Sequence, residues 1–440
     1  MSKPEERPAA HNPMRRVLGN FGLLVRGRGI AAIMLLAATA IMARALGPVE
    51  FGLVVLIQTY IVLVRGLLNF KQYLAIVRYG VPALDAGDTH TLGRLISICR
   101  RVDRYTCITA TVLALILAPL IGPRIGMDQD HVILLAAYSF ALLTTGNRTD
   151  IGILRLFDQF NILGRQMTVG PTIRFFGVII AWWQDSPFSV YVAIMAFAYG
   201  AENIYLGWCG RREYRRRIGN TPEAKKINDA SMAEFSGLRN FLWITYWQSN
   251  IDLIPKHGSI LLAGALLGPT DAGLLRLARQ FSTMLSKPAG MIRQVVFPDL
   301  TRSWIQGSAD FNLVVYRTAL FAGGLGLLFV LAGYFFGDAL LGVLIGKEFV
   351  AAAPVLTLLL LASTFDLTAS SLRAAAYAIG HAGNVLRLYI VSAVIYVTLF
   401  IVLTSQVGLI GAGLAACAAA LLRPLIMAVM ISNRMRSRAV

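Results

Sequence analysis

One eight-residue signature occurs twice in the chain, half a chain apart. The first copy is LGPVEFGL at 46–53 and the second is LGPTDAGL at 267–274, an offset of 221 residues in a chain of 440. Each copy separates two long apolar stretches. A repeat with this spacing predicts two halves of similar structure, an arrangement typical of transporters built around a central path.

The composition places these halves in a membrane. Hydrophobic residues make up 56% of the sequence and charged residues 15%, with a mean hydropathy of +0.64. A soluble domain carries roughly a quarter charged residues. The apolar runs are about 20 residues long, enough to cross a hydrocarbon core of about 30 Å. Because they are continuous and rich in Ala, Leu and Gly, they predict helices rather than alternating strands.

The predicted fold class is an all-α polytopic membrane protein. It has about 12 transmembrane helices in two six-helix lobes related by pseudo-two-fold symmetry. The predicted domains are an N-terminal six-helix lobe over 1–208, a basic linker over 209–240 and a C-terminal six-helix lobe over 241–440. The predicted spans are centred in 24–45, 51–70, 105–122, 131–147, 167–184, 188–208, 241–266, 273–297, 315–336, 350–370, 386–404 and 408–430.

The basic residues predict the orientation in the membrane. They concentrate in 71–104, in 209–240 and in the C-terminal tail, whereas the alternate loops contribute only Arg124 and Lys347. Positive loops stay in the cytoplasm, so both termini are predicted to be cytoplasmic. This distribution also accounts for the net charge of +18 without a nucleic acid partner. The four cysteines form no CxxC pair, and we predict neither a metal site nor a cofactor.

Two predicted spans carry matching polar stripes. In each stripe an amide, a cation and a second amide follow one another at intervals of seven residues, close to two helical turns, so that all three share one face. The stripes are Gln58, Arg65 and Gln72 in span two, and Gln280, Lys287 and Gln294 in span eight. A cation near the bilayer centre costs about 3 kcal/mol on insertion scales. The two faces are therefore predicted to line a shared, water-filled cavity.

A structural role is the alternative for Arg65 and Lys287. Each could pair with a buried carboxylate or extend its charged end to the membrane surface. The candidate carboxylates are Glu202, Asp252 and Asp366.

Span seven contains candidates for ion coupling. Asp252, Lys256 and His257 surround Pro255, which lacks a backbone donor and can open the helix locally. The acid, the cation and the imidazole could form an ion or proton site. Alternatively, Asp252 neutralises Lys256 one turn away.

Three segments together resemble a known family. They are RALGPVEFGL at 44–53, the LR pair at 154–155, and Asp252 followed by LLGP at 266–269 and AGL at 272–274. They look like the polysaccharide-exporter branch of the MOP (multidrug, oligosaccharidyl-lipid, polysaccharide) superfamily, which includes the Wzx-type O-antigen flippases. The resemblance implies a V-shaped cavity and alternating access. The implied activity is transfer of an undecaprenyl-pyrophosphate-linked oligosaccharide across the bacterial inner membrane, for O-antigen (lipopolysaccharide), capsule or exopolysaccharide synthesis.

The resemblance also implies a binding site and partners. The cationic lumen of the family would correspond to Arg65, Arg276 and Lys287, with Arg28 as a further member; the stripe amides Gln58 and Gln280 complete the predicted substrate-binding set. The implied partners are the lipid-linked oligosaccharide, membrane lipids, a coupling ion (H⁺ or Na⁺), and a polysaccharide polymerase with its chain-length machinery.

Two other functions are compatible with a polytopic helical chain. A MATE-type drug/ion antiporter would carry organic cations, for which the excess of basic residues is unfavourable. A membrane-embedded glycan polymerase or ligase needs a sizeable outer loop, whereas the outer loops predicted here are short. We therefore predict a transporter rather than an enzyme.

Overall fold

The computed structural model describes residues 13–219, 231–250, 253–283 and 311–439, and within these ranges the chain is helical and contains no strand. The helices of the first half are α1 Pro13–Leu67, α2 Gln72–Asp85, α3 Thr89–Ile121, α4 Gln129–Ser139, α5 Arg148–Leu156, α6 Phe160–Trp183 and α7 Phe188–Arg217. Those of the second half are α8 Leu238–Asn250, α9 Ser259–Leu267, α10 described over 269–283, α11 Phe311–Leu344, α12 Ala353–Ala378, α13 Ala382–Val407 and α14 Leu409–Ala439.

Six helical stretches in the described ranges are long and apolar enough to cross a membrane. They are Gly29–Leu67, Thr89–Ile121, Val315–Leu344, Lys347–Tyr377, Gly383–Val407 and Leu409–Ser432. The first of them covers two predicted spans, because α1 runs through a kink at Gly47. The chain is thus an all-α polytopic membrane protein, as predicted.

The duplication is visible in the backbone. Four positive-φ residues of the first half have counterparts 220 to 223 residues later, and each pair lies between corresponding helical segments of the two halves. The pairs are Gly47 and Gly268, Gly126 and Gly346, Asp158 and Gly380, and Asp185 and Gly408. The boundaries of α6 and α7 recur with similar offsets in α13 and α14. The two halves therefore repeat the same order of helices and turns.

Each copy of the repeated signature forms a sharp turn between two helical segments. Gly47 has φ +70° and Gly268 has φ +98°, a backbone conformation that favours glycine. Pro48 and Pro269 follow directly, at the first position of the next helical segment, where a missing N–H breaks no helical hydrogen bond. The first half of the signature is thus a turn followed by a helix start.

The second glycine of each copy allows the two copies to pack against each other. A Cβ atom at Gly52 would overlap the carbonyl oxygen of Pro269, and one at Gly273 would lie 3.1 Å from the Cα of Gly52. Only residues without a side chain permit this approach between helices. Beside the contact, Phe51 packs edge-on against Phe349 at a centroid distance of 5.7 Å.

The structure corrects two details of the predicted spans. Helix α1 ends at Leu67, so Gln72 lies on α2 and does not continue the face of Gln58 and Arg65. The segment 71–104, predicted as a loop, is helical: it contains α2 and the first half of α3. Basic residues lower the hydropathy of these helices, and for that reason a search for apolar runs did not predict them.

Packing divides the chain into two compact units. Unit 1 contains 1–42, 64–118 and 133–248, and its core includes Leu95 of α3 and Ile153 of α5. Unit 2 contains 43–63, 119–132 and 249–440, and a core within it includes Leu372 of α12 and Met427 of α14. The predicted domain boundaries at 208 and 241 rest on the sequence duplication and stay a prediction.

The orientation can be tested by thiol labelling. A cysteine introduced at Gln129 is expected to react with a membrane-impermeant reagent added outside spheroplasts, and one at Ala86 to react only after lysis. Both positions are exposed, so access depends on the side of the membrane. The native cysteines are first replaced; three of them, Cys99, Cys107 and Cys209, are buried. The reverse labelling pattern would contradict cytoplasmic termini.

Candidate functional site

The fourth predicted span of the first half, 131–147, is broken in its second half. Helix α4 ends at Ser139, a 3₁₀ segment covers Phe140–Thr145, and α5 begins at Arg148. The corresponding helix of the second half, α12, is continuous from Ala353 to Ala378. A break inside a membrane leaves backbone carbonyl and N–H groups without helical partners, and these must be satisfied within the protein.

Two buried charged side chains satisfy backbone groups at this break, and one of them also binds the chain just after α1. Arg65 is 3% exposed; its guanidinium donates to the carbonyl oxygens of Leu68 at 2.8 Å and Thr145 at 3.1 Å. Asp103 is 1% exposed, and its carboxylate accepts from the backbone N–H of Thr149 at 2.7 Å, in the first turn of α5. A cation at carbonyl ends and an anion at a helix N-terminus both complement the local dipoles.

Further cations lie around this pair. Arg65, Lys71 and Arg148 interact electrostatically with one another, and Asp103 interacts with Arg65 and Arg148. Arg148 is half-buried, and its Nε has no hydrogen-bond partner among the described residues. This part of the membrane region therefore holds positive charge with unused donor capacity.

The charged group extends along α6 and α7. Glu202 accepts a hydrogen bond from the amide of Gln166 at 2.6 Å and interacts with Arg148 and Arg174. We refer to four cations and two acids as the N-half cluster: Arg65, Lys71, Arg148, Arg174, Asp103 and Glu202. All six lie in unit 1, and the cations exceed the acids by two charges.

A second polar site lies in unit 2, at the helix opening predicted beside Pro255. The residues Ile254–Gly258 form a π-helical turn, which frees backbone carbonyls. Arg279 of α10 binds them: its guanidinium donates to the carbonyl oxygens of Pro255 and Lys256, to Ser259 Oγ at 2.8 Å and to Tyr396 Oη at 2.9 Å. A fixed cation, absent from the predicted set, thus stabilises the distorted helix.

The structure describes the side chains of six of the nine predicted site residues. Gln58, Arg276 and Gln280 are half-buried, as is His257, and the Lys256 side chain is exposed. Lys287, Asp252 and the side chain of Arg28 lie outside what the structure describes. The contacts of Arg65 are those of a structural cation, while its role in binding cargo stays a prediction. Among the proposed partner acids, Asp366 pairs with Arg423 at 2.7 Å.

Sequence analysis missed Asp103, Lys71, Arg148 and Arg174. A signal for the break was present, however, because the segment 146–150 reads GNRTD inside an otherwise apolar run. Gly and Asn favour turns, and Thr and Asp favour helix starts. Asp103 carried no such signal, since its partner Thr149 is 46 residues away.

Comparison with known proteins agrees with this architecture. The family of polysaccharide biosynthesis proteins matches residues 17–304. Inner membrane protein YghQ of Escherichia coli K12 is 27% identical over 351 residues, which cover 78% of this chain and 96% of that protein.

Two solved structures share the fold. A multidrug resistance MATE family transporter of the MOP superfamily, in an inward-facing conformation, has a TM-score of 0.71 at 16% identity and covers 94% of this chain and 99% of its own. The lipid II flippase MurJ, in an inward closed conformation, has a TM-score of 0.71 at 12% identity and covers 93% of this chain and 87% of its own.

The duplicated helices and these structural likenesses define a polytopic membrane protein that shares its fold with a MATE family transporter and with MurJ. Within that class, the chain belongs to the polysaccharide biosynthesis protein family, whose match covers well over half of its length. The resemblance to the polysaccharide-exporter branch is thereby confirmed.

Proposed function

We propose that this protein is a flippase of the inner membrane. Its cargo is a polyprenyl-pyrophosphate-linked oligosaccharide, a repeat unit for O-antigen, capsule or exopolysaccharide, which it moves by alternating access. The family match and the inner-membrane relative support this assignment. The observation that carries it is the positive excess of the N-half cluster.

The chemistry of the cargo fits these cations. A pyrophosphate cannot enter hydrocarbon without losing its hydration, and guanidinium groups replace that hydration with charge-assisted hydrogen bonds. Arg148 and Lys71 are the best placed to do so, because both are only partly buried and neither donates a side-chain hydrogen bond recorded among the described residues. The polyprenyl chain stays in the bilayer, where it needs no polar contacts.

The charge balance argues against a cation antiporter, and a short segment between helices argues against a membrane-embedded enzyme. An antiporter for organic cations requires acids in excess of cations, the reverse of the N-half cluster. A glycan polymerase or ligase would place its reactive acids outside the membrane on a large loop, whereas the segment between α3 and α4 holds only residues 122–128.

Charge reversal in the cluster tests the proposal. Lys71→Glu and Arg148→Glu are expected to reduce transfer of a lipid-linked oligosaccharide in proteoliposomes roughly tenfold to a hundredfold. One hydrogen bond to a charged group contributes about 1.5–3 kcal/mol, and reversal adds repulsion to that loss. The alanine variants are expected to show smaller defects. Transfer is measured with equal amounts of monodisperse protein.

Arg104→Glu is the matched control. Arg104 is an exposed cation on α3, next to Asp103 in sequence but outside the cluster. This variant makes the same change in net charge and should transfer cargo normally. Normal transfer by folded Lys71→Glu and Arg148→Glu proteins would contradict a cationic headgroup site here.

Ion coupling through span seven forms part of the proposal. Asp252 is the proposed responsive group, and Lys256 and His257, which lie within the π-helical turn Ile254–Gly258, are its proposed neighbours. Its neutralisation in Asp252→Asn should remove the response of transfer to an imposed proton or sodium gradient. An unchanged response would favour simple neutralisation of Lys256.

A further inference from the structure

A groove beside the helix break in unit 1 combines a basic end with an apolar end. The basic end is a cavity of about 540 Å³ between the break and α7. Its basic and amide side chains are Asn147, Asn203, Arg211, Arg212 and Arg215. Beside it lies a second cavity of about 420 Å³, lined by apolar and aromatic side chains of α7.

The two cavities are adjacent on one face of α7. Both are lined by Ile204 and Trp208, which are 59% and 56% exposed. The apolar part continues along the helix to Phe197. It passes Gly200, which has no side chain, and Ala201, which has only a methyl group, so the depression stays open. The spacing of these residues follows the helical repeat, so the groove runs along the helix axis. A narrow apolar groove along a helix axis matches the shape of an extended acyl chain.

The basic end lies where a lipid headgroup would be. The predicted span ends at residue 208, and Trp residues favour the boundary between hydrocarbon and headgroups. Arg212 lies 5.4 Å from the centroid of the Trp208 ring, and Arg215 follows on the same side of the helix. The buried Asp150 lies 3.6 Å from Arg100 and also interacts with Arg211, whereas Arg212 and Arg215 form no ion pair among the described residues.

Asn147 narrows the choice of headgroup. It is 2% exposed, and its Nδ2 donates to the backbone oxygen of Asn203 at 3.0 Å and to that residue's side-chain oxygen at 2.8 Å. Its Oδ1 has no partner among the described residues. A buried acceptor of this kind requires a donor. A hydroxyl group can supply it, while the three arginines disfavour an ammonium group.

We infer that this groove binds one anionic glycerophospholipid with a hydroxylated headgroup, of the phosphatidylglycerol type. The phosphate contacts Arg212 and Arg215, a headgroup hydroxyl donates to Asn147, and one acyl chain lies along Phe197 to Trp208. The lipid covers the broken helix at the membrane surface. The inference concerns a bilayer lipid and does not depend on the transported cargo.

Fluorescence quenching by brominated lipids tests this site. The full chain is reconstituted in phosphatidylcholine vesicles containing a small fraction of phosphatidylglycerol or phosphatidylethanolamine with dibrominated chains. The difference between the wild type and Trp208→Phe gives the signal of Trp208. Brominated phosphatidylglycerol is expected to quench this signal at roughly thirtyfold lower mole fraction than brominated phosphatidylethanolamine, as two Arg contacts would give. Equal quenching by the two lipids would overturn the proposal.

Three variants locate the effect. Arg212→Gln with Arg215→Gln should abolish the preference, whereas Arg104→Gln with Arg216→Gln, which removes two exposed cations outside the groove, should keep it. Ala201→Leu fills the apolar end and should weaken quenching while both cations remain. Equal loss in the two double variants would indicate a general charge effect and refute the site.

A final arm separates the bilayer lipid from the cargo. An unbrominated polyprenyl diphosphate is added at the same mole fraction as the brominated phosphatidylglycerol. If it restores the fluorescence of Trp208 completely, the groove belongs to the cargo and the inference fails. Persistent quenching supports the phospholipid assignment.

Discussion

Arg65→Glu is expected to remove folded protein from the membrane. The substitution places a carboxylate against the carbonyl oxygens of Leu68 and Thr145, next to the buried Asp103. A buried polar group left without its hydrogen-bond partner costs about 1–3 kcal/mol and a charged group more, a large part of a typical stability of 5–15 kcal/mol. The amount of monodisperse protein after solubilisation measures this loss. Arg104→Glu makes the same change in charge at an exposed site and should fold normally.

A double neutralisation distinguishes a structural role from cargo binding. Arg65→Gln with Asp103→Asn leaves neither buried charge at these two positions. It keeps a donor for the carbonyl oxygens and an acceptor for the N–H of Thr149, so it should restore folded protein relative to Arg65→Gln alone. If the restored protein transfers cargo normally, Arg65 acts through the fold. If it is folded but inactive, Arg65 also contacts the headgroup, as its stripe predicted. Wild-type stability of Arg65→Glu would contradict the structural role.

Gly52→Leu is expected to have the second large effect. Even the first atom of a side chain at this position would overlap the backbone of Pro269, and backbone cannot move aside as a flexible side chain can. Overpacking typically costs 1–3 kcal/mol, and a clash with backbone should reach about the upper end of that range or exceed it. The melting temperature of the purified protein should fall by several degrees, and transfer should be lost.

The paired position and a matched control make this test specific. Gly273→Leu should reproduce the effect, because Gly273 forms the other side of the same contact. Gly324→Leu serves as the control, since a side chain there would meet no atom within 4 Å. If Gly52→Leu and Gly324→Leu are equally stable, the repeated signature does not act through close helix packing.

The repeated signature was the part of this protein easiest to predict. Two copies of LGP predicted two similar halves, and the structure shows the same turn in each, with Gly47 and Gly268 at positive φ. The sequence alone could not show that the two copies contact each other. That contact depends on how Gly52 and Gly273 meet in space, 221 positions apart.

The candidate site was predicted only in part. The polar stripe drew attention to Arg65 because a cation in an apolar run is unusual and costly. The stripe did not identify Asp103. It also assigned Gln72 to the wrong helix, because a spacing of seven residues is the same whether or not a helix ends between 67 and 72. The second cation of the stripe pair, Lys287, lies outside the described residues, so its position opposite Arg65 stays a prediction.

By itself, the sequence determined the class of protein, because hydropathy, repeat spacing and charge distribution are properties of the chain read in order. The tertiary structure decided which buried charges have hydrogen-bond partners and which groups those partners are. Arg65 binds a carbonyl 80 residues away, and Arg279 binds the carbonyls opened at Pro255 and the hydroxyl of Tyr396. A buried charge is tolerated only through such partners, and partners this far apart in sequence come together only when the helices pack.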